Sequence, residues 1–140
     1  MTDIENAKKN LNGHSICLCC GSDIIVDDGR GISPMIRFIK EGRDLAGYSA
    51  ADIIVGKAAA LLFLKAGVKE VYGRVMSASA REILLKNFVH CEYEMLTERI
   101  INRVGTDICP MEKTVENIDS PDRAFEALCD RLEQIKNGKG

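Results

Sequence analysis

The sequence predicts a single α/β domain, a three-layer α/β/α sandwich in which a mixed sheet carries helices on both faces. Three observations carry this expectation. Segments with strand composition alternate with segments of helical period. The first two strand-like runs are separated only by Gly21-Ser22, which implies an antiparallel pair. The length of 140 residues suits one hydrophobic core, so residues 1–140 are taken as one domain.

Residues 2–11 set Ile4, Ala7 and Leu11 on one helical face, and Gly13 is placed to stop that helix, giving an N-terminal helical segment within residues 1–13. Ser15-Ile-Cys-Leu-Cys-Cys20 and Asp23-Ile-Ile-Val26 form the hairpin around the Gly-Ser turn. After a polar loop, Ser33-Pro34 supplies an N-cap and a first-turn proline for a helix that runs to about Glu41 and ends at Gly42. Ser49-Ala-Ala-Asp52 matches a capping box, and the apolar character that follows it up to Gly67 predicts a long central helix. A strand over Val68–Met76 comes next. Ser79-Ala-Arg-Glu82 then opens a helix with a second capping box, and Val89–Met95 is a further strand. Periodicity lapses over residues 96–108, long enough for a functional loop. Helices resume at Cys109-Pro110 and at Ser120-Pro121, the latter with Phe125, Leu128 and Leu132 on one face. Residues 136–140 are expected to fray.

Composition narrows the function classes. The formal charge of −2 and pI near 5.7 provide no cluster of Lys and Arg to face phosphates, and aromatics make up only 5%, so nucleic acid is not an expected partner. No apolar run is long enough to span a membrane, and the acidic start has no leader-like apolar region, which predicts a cytoplasmic protein. Cys17 and Cys20 make a C-x-x-C with His14 upstream. A structural zinc site would require a second ligand pair at matching spacing, so these cysteines read first as small apolar residues of a buried strand.

Three strings, Ala51-Asp-Ile-Ile-Val-Gly-Lys-Ala-Ala-Ala60, Ile101-Asn-Arg-Val-Gly-Thr106 and Cys109-Pro-Met-Glu112, together with the order of elements, resemble an uncharacterised prokaryotic family, a domain of unknown function with a cytidine-deaminase-like fold. The resemblance covers roughly residues 14–135. It implies a ligand site at the N-terminal ends of two helices beside the sheet. Zinc deaminases carry H-x-E or C-x-E at the first of these and P-C-x-x-C at the second. Here the corresponding stretches are read as Ser49-Ala-Ala-Asp52 and Ser77-Ala-Ser-Ala80, which contain no His, Cys or Glu. The implication is a zinc-free domain with no metal and no cofactor assigned.

The candidate ligand-binding residues each have a plainer alternative. Asp52 is read in the first turn of the central helix, as a cap or a site residue. Lys57 sits among apolar neighbours and needs a partner such as Asp52 or Glu112, an anionic ligand, or an outlet to water for its tip. Ser77 and Ser79 cap a helix that is also an anion site. Asn102, Arg103, Gly105 and Thr106 form a loop in which Arg can clamp a phosphate or carboxylate, against the alternative of a surface ion pair and a simple turn. Cys109 precedes a helix start that favours thiolate, and Glu112 can close that helix's cap by reaching back to the Cys109 amide. Two functions follow as expectations. One is binding of a small anionic or nucleotide-like metabolite. The other is a non-catalytic sensing or self-assembly module, a homo-oligomer among its forms, whose Asp52, Lys57 and Glu112 make a structural polar network.

Overall fold

The computed structural model describes residues 1–101, 105 and 107–137. Helix α1 (Asp3–Asn10) is opened by a capping box in which Thr2 and Glu5 satisfy one another's backbone amides. Strands β1 (Ile16–Cys20) and β2 (Asp23–Asp27) pair antiparallel across the Gly-Ser turn. Helix α2 (Ser33–Lys40) follows, with Ile32 rather than Ser33 at the N-cap position and no side-chain cap bond.

The expected helix over residues 49–67 is two elements. Residues Ser49–Val55 form strand β3, and only Lys57–Ala66 form helix α3. β3 lies between β1 and β4 and is buried on both faces over most of its length, so its apolar run carries no alternation. Periodicity cannot separate such a strand from a buried helix. Gly56, in extended conformation, is the break. Asp52 is therefore a mid-strand residue, and Ser49-Ala-Ala-Asp52 caps nothing.

Strand β4 (Glu70–Ser77), helix α4 (Ala78–Lys86) and strand β5 (His90–Thr97) complete the sheet, with order β2-β1-β3-β4-β5. β3, β4 and β5 run parallel, while β1 is antiparallel to both its neighbours. Helix α5 (Pro110–Val115) and helix α6 (Pro121–Lys136), capped by Ser120, end the described chain.

The helices flank the sheet unequally. Met35, Phe38, Leu61, Phe63, Leu84 and Leu128 join Leu18, Val71 and Met76 in the large core, which the later helices cover. On the opposite face α1 covers a small cluster of Ile4, Ala7, Leu11, Cys17, Cys19, Ala51 and Tyr72. The strand reading of the cysteines holds here. Cys17 and Cys19 point into the small cluster with Sγ atoms 3.7 Å apart, whereas Cys20 is exposed at the strand end. Residues three apart on a strand face opposite ways, so Cys17 and Cys20 do not converge. Burial pushes the Cys17 thiol up to about 12, and His14 bonds instead to Asp28 at 2.7 Å. No helix among the described residues is long and apolar enough to cross a membrane.

Candidate functional site

In open α/β sheets ligands gather beyond the carboxyl ends of parallel strands, where the chain turns into helices. Here those ends are the β3–α3 and β4–α4 junctions. At the first, Gly56 offers no side chain to cap α3. The task falls to Glu112 of α5, whose Oε1 accepts from the Lys57 amide at 2.8 Å and whose Oε2 accepts from the Ala58 amide at 2.9 Å. A carboxylate at a helix start meets both free N–H groups and the positive end of the helix dipole. The fit requires glycine at 56, because a Cβ there would lie 2.5 Å from the Glu112 Cδ.

Lys57, the first residue of α3, is tied outward. Its Nζ lies 2.8 Å from Asp119 Oδ1 and donates to the Glu116 carbonyl at 3.2 Å. The expected partners, Asp52 and Glu112, are not the ones it uses. Its side chain is 13% exposed while that of Asp119 is 66% exposed, so the stem is covered and the charge reaches the surface.

At the second junction Ser77 is the cap. It is buried, and its Oγ accepts from the Ala80 amide at 3.1 Å. Ser79 lies inside the first turn with its hydroxyl 3.2 Å from that of Ser77, so the capping box expected from Ser79 and Glu82 does not form. Between the two helices lies a cavity of about 130 Å³ lined by Lys57, Ser79, Glu82, Ile83, Lys86 and Asp119. Two cations there face two carboxylates. Pockets for metabolites usually enclose about 300–1,000 Å³.

Asp52 stands apart from this network. It is opposite Ile16 on β1 and Gly73 on β4, which turns it toward the large core. It is 8% exposed and forms no ion pair among the described residues. Burial raises its carboxyl to about 7, against the smaller opposing effect of hydrogen bonds from the Ile53 and Ile54 amides. Cys109 occupies the N-cap position of α5 without a side-chain cap bond, and its amide donates to the Ile100 carbonyl at 2.9 Å rather than to the Glu112 carboxylate. Gly105 has φ +74 and open space around it, a turn that favours glycine. Asn102, Arg103 and Thr106 lie outside the described residues. No group of three or more His, Cys, Asp or Glu among the described residues is placed to hold a metal ion.

Sequence reasoning missed Gly56 and Asp119. A glycine inside an expected helix was the available signal for the first, since it costs about 1 kcal/mol relative to Ala there. Asp119 had none, because its pairing spans 62 positions (119 − 57) and depends on how α6 folds back.

Residues 6–132 match the sequence profile of a domain of unknown function, DUF1893. The chain belongs to this family. A solved DUF1893 protein from Thermotoga maritima is similar, with a TM-score of 0.84 and 24% identity over 92% of this chain and 89% of that one. At that identity the likeness shows the DUF1893 fold and no more. No curated protein matches.

Proposed function

We propose that this chain is a non-catalytic sensing or self-assembly module. In the cytidine-deaminase-like arrangement that the sequence resembles, the ligand position falls at the starts of α3 and α4. With β3 ending at Val55, the stretch at the start of α3 is Val55-Gly-Lys-Ala58, which carries no His, Cys or Glu, as is also true of Ser77-Ala-Ser-Ala80. The observation that carries the proposal is the Glu112 carboxylate on the Lys57 and Ala58 amides. The chain's own side chain holds the place an anionic ligand would take, and Lys57 and Asp119 tie the following turn over it.

A second reading has support from Lys57, Lys86 and Ser79, which share one cleft at the start of α4. On that reading the chain binds a small anion, nucleotide-like or simpler, with Arg103, which follows β5 in the sequence and lies outside the described residues, proposed as a clamp. Thermal shift against inorganic phosphate and nucleoside monophosphates separates the two. The structural-network reading expects no rise in melting temperature. A saturable rise, abolished by Arg103→Ala with the fold intact, would establish the anion site instead.

A further inference from the structure

We propose that β5 is the self-association edge of this protein, pairing antiparallel with β5 of a second copy to continue the five-stranded sheet across a two-fold axis. This rests on the self-assembly half of the function proposed above.

Among the described residues no strand lies beyond β5, which leaves one edge of an eight-residue strand unpaired. Such edges are usually blunted by bulges, charges or cover. This one gathers apolar side chains. Among the described residues, six of the eleven exposed large hydrophobic residues fall between Leu85 and Ile101: Leu85, Phe88, Tyr93, Met95, Leu96 and Ile101. Phe88, just before β5, is 96% exposed and has φ +61. Its amide donates to Leu85 and that of Val89 to Leu84, a helix ending at which glycine is the usual residue. An aromatic group held both in water and in a strained backbone gains nothing for the monomer, and such outliers cluster at functional positions.

Symmetry and charge then select the occupant's register. A two-fold axis normal to the sheet keeps each side chain on its own face, so the paired residue numbers must sum to an even value. Centring on Tyr93 opposes Glu92 to Glu94 of the second copy twice. Centring on Met95 opposes Glu92 to Glu98 twice. Centring on Glu94 leaves one like-charge pair, on the axis. That register sets Tyr93 against Met95 of the second copy in both directions, Glu92 against Leu96, and His90 against Glu98, which can bond. It also brings each Phe88 level with Ile100 of the other chain. Aromatic–aliphatic and opposite-charge pairs are the favourable cross-strand combinations, and like charges directly opposite are not.

Sedimentation of the full chain over a micromolar concentration series tests this, with three variants. The parent is expected to be a concentration-dependent dimer. Glu94→Gln keeps a polar acceptor beside Tyr72, whose phenol burial and then Glu94 push above its ordinary value, and removes the axial repulsion, so it should dimerise several-fold more tightly. Met95→Glu, at a position 61% exposed, should abolish the dimer without lowering the melting temperature of the monomer. Phe88→Gly should weaken the dimer about tenfold while leaving the monomer as stable or more so, the opposite of a merely structural residue. A dimer unaffected by all three variants overturns the β5 edge and leaves assembly through another surface. A chain that stays monomeric throughout overturns both this inference and the self-assembly reading.

Discussion

The Glu112 carboxylate fills the space that a side chain at Gly56 would need, 2.5 Å from the position of a Cβ there. That contact joins α5 to the start of α3 and explains why a residue without a side chain ends β3. Gly56→Ala must expel Glu112 and lose two charge-assisted bonds to amides, each worth about 1.5–3 kcal/mol. The expected loss is about 3–6 kcal/mol by urea unfolding. In a Glu112→Ala background the same change should cost far less, since the clash and the bonds are then already gone. Equal costs in the two backgrounds would dismiss the coupling.

Asp52 should make the protein less stable as pH rises. Its folded carboxyl titrates at about 7 against an ordinary value of 3.8, so between those pH values the folded state holds a proton that the unfolded state has released. Stability is then fully present below 3.8 and declines until pH passes 7, by at most about 4 kcal/mol. Asp52→Asn should flatten this dependence and exceed the parent in stability at pH 8. Parallel curves for the two proteins between pH 4 and 8 would contradict it.

Lys57→Met is expected to change stability by less than about 1 kcal/mol. The stem is retained, and the partner left behind, Asp119, is two-thirds exposed and can be hydrated. A loss of several kcal/mol, restored by neutralising a second carboxylate, would show instead that the charge is needed within the fold.

The two serines of the α4 start should differ. Ser77→Ala removes a buried cap and is expected to cost about 1–2 kcal/mol. Ser79→Ala, in an exposed first-turn position, should stay within about 0.5 kcal/mol. Chemical denaturation of the pair measures both.

The elements whose signals are local were determined by the sequence alone. The Thr2–Glu5 box, the Gly21-Ser22 turn and Ser120-Pro121 each act within four residues, and α1, the β1–β2 hairpin and α6 begin where those signals stand. The family strings, too, are properties of the chain, and the profile match shows a domain family of unknown function, DUF1893. What only the tertiary structure decided is everything that depends on burial from two sides. Ser49–Val55 is a strand because β1 and β4 flank it, and with both faces covered its composition no longer alternates. Once that segment is a strand, Asp52 moves from a helix start to the middle of the sheet and Lys57 moves from mid-helix to the first turn. The partner of each charge follows from the same cause. Glu112 reaches α3 across 55 positions and Lys57 reaches Asp119 across 62, because the packing of α5 and α6 on α3 brings distant backbone and side chains together, and no local rule encodes that distance.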